Sequence, residues 1–261
     1  MKVPFSKVVM ITGATAGIGS ATAKIFAKNG YNLILTGRRK ERLDEIKKKY
    51  SNKYGVDIHT LCFDIRDHNA VKKAWKSLKP EWKEIDILIN NAGLAKGFHP
   101  IHEGSIDDWE IMIDTNIKGL LYITRLVSPE MVKKQKGHII NLCSSAGHEV
   151  YPNGNVYCAS KFAVDALTQS MRLDLYKHGV RVSQVSPGHV EETEFALVRF
   201  NGDEKRAQIY DDFTPLKSKD VAEIIYFISS RQKYINIQDV IVMCTQQASN
   251  NHIDRRGRLD N

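Results

Sequence analysis

Residues 8–19 read VVMITGATAGIG: four apolar residues, a threonine, then glycines at 13, 17 and 19. A short apolar run closed by a Gly-rich turn predicts a strand covered on both faces, Val8–Ile11, feeding a helix from about residue 17. In parallel α/β sheets this strand–turn–helix unit is where a dinucleotide pyrophosphate lies. Glycines let the backbone come close, and the helix N-terminus offers free N–H groups and the positive end of its dipole. The spacing here is G-xxx-G-x-G, not the plain G-x-G-x-x-G, and Gly-rich turns also serve packing alone. The reading therefore depends on the rest of the chain.

Working outward, the same alternation continues. Strands are predicted at Asn32–Thr36, Asp57–Phe63, Ile85–Asn90, His138–Cys143, Val180–Val185 and Val240–Cys244, several of them continuous apolar runs. Helices are predicted around 17–29, 40–50, 67–79, 107–128, 156–178 and 219–230, with Gly30 and Gly179 placed as C-terminal caps and Ser218 as the N-cap of the last. Strand–helix alternation means βαβ units. The expected fold is one doubly wound α/β domain of the Rossmann type over residues 1–261, a seven-stranded parallel sheet with helices on both faces. Residues 187–217 lack periodicity but carry Phe195, Phe200, Tyr210 and Phe213, which suits an anchored substrate loop or lid. Residues 249–261 read as a polar C-terminal tail.

Composition narrows the class. Hydrophobic content of 42% supports a sizeable core, and no run of about 18 apolar residues predicts a membrane span. The opening MKVPFSKVVMITG lacks a signal-peptide h-region. Cys62, Cys143, Cys158 and Cys244 show no CxxC pairing, and the nine histidines show no ligand spacing, so neither a disulfide framework nor a metal is expected and a cytoplasmic setting fits. The net charge of +8 raises the question of nucleic acid. Yet RRKERLDEIKKKY (38–50) mixes both signs like a solvated helix face, and DRRGRLDN (254–261) is terminal. Anionic small molecules are the better use of the excess charge.

Three further strand ends point to the first turn. After the second strand comes TGRR, with Arg38 and Arg39 where NAD-binding domains place an acid for the ribose 2′-hydroxyl; guanidinium groups suit a 2′-phosphate, which favours NADP. The alternative is two exposed arginines opening a helix. Asp64, after the third strand, is placed to accept from an adenine amino group, and Asn91, Ala92 and Gly93 set small residues beside the cofactor. Chemistry is carried by Tyr157 and Lys161, four apart on one helix face, with Ser144 thirteen residues earlier. A neighbouring cation lowers a phenol's pKa toward neutrality, and a hydroxyl can hold the oxygen that the phenol protonates. By itself the trio better suits a lysine stretched along a half-buried tyrosine, and other signals must decide.

Taken together, TGATAGIG, NNAG, Asn116 in DTNIKG, Ser144, YCASK and Ser186-Pro187-Gly188 resemble the short-chain dehydrogenase/reductase superfamily, in its order, from about residue 8 to 188. A finer resemblance, to NADP-dependent 3-hydroxy acid dehydrogenases (serine or L-allo-threonine dehydrogenases), rests on TGRR, EWKEIDILINNAGLAKG, DWEIMIDTN, YPNGNVYCASKFAV and ETEFALVRFNGD. The resemblance implies Tyr157 as acid–base, Lys161 as its pKa-lowering partner and ribose ligand, Ser144 as substrate-orienting hydroxyl, and Asn116 as holder of a relay water. It implies NADP held by Gly13, Ala14, Thr15, Ala16, Gly17, Ile18 and Gly19, by Arg38, Arg39, Asp64, Ile65, Asn91, Ala92 and Gly93, and by Tyr157 and Lys161. Pro187, Gly188, Val190 and Thr193 would close over it. The expected reaction is reversible hydride transfer between NADP(H) and C3 of a small 3-hydroxy or 3-oxo acid, with Arg199 the candidate for its carboxylate and a homotetramer the expected assembly. A broader carbonyl or 3-oxoacyl reductase and a non-catalytic NADP sensor are the alternatives. Cys143 before the serine, His189 after Pro187-Gly188, and a tail without a Gly-rich ending depart from commoner patterns.

Overall fold

Side chains of the first strand, β1 (Val8–Ile11), alternate between two cores. Val9 and Ile11 join one apolar cluster, Val8 and Met10 the other, as the two-residue period of a strand dictates. The same division holds along β2 (Asn32–Gly37), where Leu33 and Leu35 face one way and Ile34 the other. A sheet covered on both sides explains why these strands read as unbroken apolar runs. The computed structural model describes residues 7–259; the first six and last two residues of the expected 1–261 span lie outside the described residues.

The remaining sheet strands are β3 (Ile58–Cys62), β4 (Ile85–Asn90), β5 (Gly137–Leu142), β6 (Val180–Pro187) and β7 (Asp239–Val242). All pairings are parallel, in the order β3-β2-β1-β4-β5-β6-β7. The main helices are α1 (Gly17–Lys28), α2 (Lys40–Tyr54), α3 (His68–Ser77), α4 (Ile106–Ile113), α5 (Leu120–Lys133), α6 (Asn155–Leu175) and α7 (Ser218–Ser229). Phe26 of α1, Leu43 of α2 and Ile225 of α7 fill the first cluster; Val71 of α3, Val127 of α5 and Val164 of α6 fill the second. The expected doubly wound α/β fold is therefore the observed one. Strand order reverses between β1 and β4, which opens the crevice where such sheets take their ligands.

Some boundaries differ from expectation, each for a local reason. The helix expected to stop near 128, before Pro129, runs through that proline to Lys133 as α5. It joins α4 through a π-helical stretch, Asp114–Gly119, that centres on Asn116. Ser218 is the first helical residue of α7 and not its cap: Lys217 holds the cap position, and the Asp220 carboxylate accepts its N–H at 2.8 Å. Gly30 and Gly179 do end helices, with φ of +77° and +65°. Residues 187–217 are partly ordered into a two-residue ladder of Val190–Glu191 on Leu216–Lys217 and two helical turns, Phe195–Arg199 and Glu204–Ala207. Among the described residues no helix is long and apolar enough to cross a membrane.

Beneath the crevice, a buried polar chain ties the sheet to its helices. Asn90 Nδ2 donates to Thr124 Oγ1 and to Asn141 Oδ1, both at 2.9 Å, and Asn141 Nδ2 donates to Thr168 Oγ1 at 2.8 Å. Replacing Asn141 with Ala takes one hydrogen bond from each of two buried partners, Asn90 and Thr168, so unfolding free energy from urea denaturation should fall by about 1–3 kcal/mol. A loss below about 0.5 kcal/mol would show that this chain contributes little.

Candidate active site

The turn after β1 is drawn in so tightly that side chains would not fit. A Cβ on Gly19 would stand 2.3 Å from the Gly13 carbonyl oxygen, and Gly13 and Gly17 take left-handed φ values of +67° and +50°. Asn91 stitches this turn to the end of β4: its Nδ2 donates to the carbonyls of Thr12 (2.8 Å) and Gly13 (3.1 Å), while Thr12 Oγ1 accepts from the N–H groups of Asn91 and Ala92. No side chain caps the N-terminus of α1. The result is a backbone cradle, open on one side, beside the switch point.

That cradle is one end of a cavity of about 960 Å³. Of the residues expected at the cofactor, Gly13, Thr15, Ala16, Gly17, Ile18 and Gly19 line it, as do Arg38, Arg39, Asp64 and Ile65. Asn91, Ala92, Gly93, Pro187, Gly188, Val190 and Thr193 line it as well. Ala14 does not: it is fully buried in the first core cluster, and its N–H donates to the Thr36 carbonyl. Arg38 is exposed at the rim, while Arg39 donates from Nη2 to Thr15 Oγ1 at 2.8 Å. The Asp64 carboxylate is engaged by Arg66 at 2.6 Å, and that hydrogen bond holds it below the usual carboxylate range.

At the far end α6 presents Tyr157 and Lys161, both buried. The phenol is pushed above the usual tyrosine range, first by burial and then by Tyr151; the Ser144 hydroxyl, which hydrogen-bonds it, and Arg199 pull it back. Ser144 Oγ itself accepts from Ala146 N–H. Lys161 donates to the Leu142 carbonyl at 3.0 Å with its ammonium 5.9 Å from the phenol's ring centre, and burial pulls its pKa down. Arg199 thus joins Lys161 as a second cation beside Tyr157, its guanidinium 5.0 Å from the phenol's ring centre. Asn116 stands behind the cavity wall, its amide bonded to the N–H and carbonyl of Leu94 and to Ser160 Oγ, which fixes the wall against Lys161.

Arg199 is where the helical turn Phe195–Arg199 delivers a cation to the site. Only 7% exposed, its guanidinium lies 5.0 Å from the ring centres of Tyr157 and Phe195 and 5.6 Å from those of Tyr151 and Phe98. It donates to the Tyr151 hydroxyl at 2.5 Å, and its Nε has no partner among the described residues. No carboxylate among the described residues forms an ion pair with Arg199 or Lys161. Two buried cations without a counter-ion make a cavity built for an anion. His189, the departure after Pro187-Gly188, forms part of the wall between Tyr210 and Phe213, its pKa lowered by burial.

The C-terminal stretch, read from sequence as a polar tail, forms another wall. Asn250, Asn251, Ile253 and Arg255 line the cavity. The Glu149 carboxylate accepts from Asn250 N–H (2.8 Å), Asn251 Nδ2 (2.9 Å) and Ser249 Oγ (3.1 Å), and Ser145 Oγ donates to Asn250 Oδ1 at 2.5 Å. Tyr151, Phe98 and this strap line the cavity, and the sequence reading missed them. Nothing periodic in SNNHID (249–254) points at the site; only the contact across about a hundred residues does.

Residues 7–202 match the family pattern of short chain dehydrogenases. The chain is 43% identical over 242 residues to the NADP-dependent 3-hydroxy acid dehydrogenase YdfG of Salmonella typhi, covering 92% of this chain and 96% of that protein. It is 44% identical over 245 residues to sulfoacetaldehyde reductase 2 of Chromohalobacter salexigens, covering 93% and 96%. The chain belongs to the short-chain dehydrogenase family. Its fold superimposes on the closed form of serine dehydrogenase complexed with NADP⁺ with a TM-score of 0.89 at 43% identity, covering 92% of this chain and 96% of that one.

For this short-chain dehydrogenase the strap yields a direct expectation. The hydrogen bonds led by Asn250 N–H hold the Glu149 carboxyl below its usual range, so the clasp is complete at neutral pH and loosens only as pH falls through that lowered value. Glu149→Ala should release residues 249–255 at pH 7, seen as faster tryptic cleavage at Arg255 and Arg256 and a higher KM. Cleavage at the wild-type rate would mean the strap is held by other contacts.

Proposed function

We propose that this short-chain dehydrogenase uses NADP(H) to interconvert a small 3-hydroxy acid, such as serine, allo-threonine or 3-hydroxypropionate, and its 3-oxo counterpart. The observation that carries the substrate class is Arg199, a buried guanidinium beside the reactive phenol with an unpartnered Nε and no protein carboxylate to balance it. The names of the relatives support the same chemistry. In a 3-hydroxy acid and in sulfoacetaldehyde alike, the acid group's own carbon or sulfur lies two bonds from the reacting carbon. A neutral carbonyl or a 3-oxoacyl thioester offers this guanidinium no acid group to bind.

For the cofactor, the glycine turn lines the cavity beside the N-terminus of α1, where a pyrophosphate can approach its backbone N–H groups, and Arg38 and Arg39 lie at the cavity's rim where the residue after β2 meets the ribose. These residues fit NADP, which when bound supplies or accepts the hydride. The chain's own residues handle the proton and the charge. Ser144 and Tyr157 grip the substrate oxygen between two hydroxyls. In reduction the phenol gives its proton to that oxygen; in oxidation it takes the hydroxyl proton away. Lys161, held by the Leu142 carbonyl, places a positive charge behind the phenol, and Asn116 keeps the neighbouring wall rigid. Arg199 holds the acid group, so that the oxygen to be protonated is presented at a fixed distance from it.

Phe195 and Arg199 bring residues 187–217 onto Tyr157, which supports the reading of that segment as a substrate lid. A homotetramer remains part of the proposal: Leu173 and Phe227, 73% and 51% exposed, leave apolar surface for further copies of the chain. The four free cysteines suit a cytoplasmic enzyme.

Tyr157→Phe should lower turnover by about 10²- to 10⁴-fold while NADPH affinity stays within about twofold. Because burial raises the phenol's pKa, the protonated form needed for reduction is present throughout neutral pH, and the base needed for oxidation grows only as pH rises. Wild-type kcat for alcohol oxidation should therefore climb between pH 7 and 10 while carbonyl reduction stays flat. Near-wild-type turnover in the variant, or equal pH profiles in both directions, would remove Tyr157 from the proton step.

A further inference from the structure

Glu194, four residues past Val190, reaches back across the mouth of the cavity to the arginines that follow β2. Arg39 Nη1 lies 2.8 Å from each of its carboxylate oxygens, and Arg42 Nη1 lies 2.7 Å from Oε1. The rest of the Arg39 guanidinium is docked on Thr15 in the Gly-rich turn, through Nε at 3.2 Å and Nη2 at 2.8 Å. The neighbour of Glu194, Thr193, packs on that turn too: a Cβ on Gly17 would come within 3.1 Å of Thr193 Cγ2. The next residue, Phe195, stacks edge-on against Tyr157 with ring centres 5.5 Å apart. So a single carboxylate, borne by the segment that covers the substrate end, neutralises two cations at the cofactor end.

We infer that Glu194 is a cofactor-discriminating residue that competes with the 2′-phosphate of NADP for the guanidinium groups of Arg39 and Arg42. The inference rests on the NADP reading above. Arg39 has one free edge, since its other edge is spent on Thr15, and that free edge is the one Glu194 occupies. A phosphate dianion arriving there meets a carboxylate already in place; two anions on one guanidinium edge repel, so one yields. A ribose lacking the phosphate has no such conflict, because a carboxylate beside a 2′-hydroxyl is a favourable acceptor. Glu194 thereby moderates a preference for NADP that the arginines alone would make steeper. All three side chains are between one-third and one-half exposed, so the ion pairs are weak enough to be exchanged.

The test is the affinity of the whole protein for 2′,5′-ADP and for 5′-ADP, measured by calorimetry in wild type, Glu194→Gln, Arg39→Gln and the double variant. Neither ligand requires turnover, so the readout is independent of catalysis. Glu194→Gln should bind 2′,5′-ADP about fivefold more tightly, the scale of two half-exposed ion pairs that need not be broken, with 5′-ADP unchanged or slightly weaker. Arg39→Gln should weaken 2′,5′-ADP, and in the double variant the gain from Glu194→Gln should shrink to the part that Arg42 carries. Unchanged or weaker 2′,5′-ADP binding in Glu194→Gln, with wild type still favouring 2′,5′-ADP over 5′-ADP, overturns the role of Glu194 alone. A wild-type protein that does not favour 2′,5′-ADP overturns the cofactor reading, and this inference with it.

Discussion

Burying a cation costs several kcal/mol unless something nearby compensates it, and this protein buries two beside one phenol. Lys161 is compensated by the Leu142 carbonyl, and Arg199 by four aromatic faces and the Tyr151 hydroxyl. Neither receives a carboxylate among the described residues, so the cavity carries an excess of positive charge in a poorly screened place. That constraint explains the rest of the site. Tyr157 can stay neutral and protonated because burial opposes its ionisation, yet a cation stands ready to stabilise the phenolate when the proton leaves. In the proposed function, the same charge draws in and orients an anionic substrate.

The fold assembles this arrangement from distant parts. Reversal of strand order between β1 and β4 opens the crevice, and close approach at Gly13 and Gly19 lets the cradle sit against Asn91 at the end of β4. α6 sets Tyr157 and Lys161 on one face, while β5 supplies the Leu142 carbonyl and the lead-in to Ser144. The covering segment brings Arg199 and Phe195 to the phenol and Glu194 to the arginines after β2, and the C-terminal strap closes the remaining side through Glu149. Cofactor end and substrate end thus share one covering segment.

Local features were legible in the sequence and non-local ones were not. TGATAGIG, the apolar strands and Tyr157–Lys161 each depend on neighbours within a few residues, so their pattern survives in one dimension, and the parallel doubly wound sheet followed from it. Arg199 was a reasonable candidate as the arginine of an aromatic-rich segment, but its cage of Phe98, Tyr151, Tyr157 and Phe195 comes from three separate stretches of chain. That Arg199 joins Lys161 beside the phenol depended on distances across the fold, which a four-residue spacing leaves open. The strap was misjudged as a tail because its residues are polar, and only their pairing with Glu149 makes them structural. Ser218 had the right chemistry for a cap and lay one residue too late.

In the proposed function, Arg199 selects for an acid group on the substrate. The most direct measurement compares kcat/KM for NADP⁺-dependent oxidation of 3-hydroxypropionate with that of the neutral 1,3-propanediol, in wild type and in Arg199→Ala. Losing a buried charge-assisted contact should lower kcat/KM for the acid by about 10²-fold or more and leave the diol within about threefold, so the preference collapses. Equal losses for both substrates, or a wild-type enzyme that prefers the diol, would contradict the account.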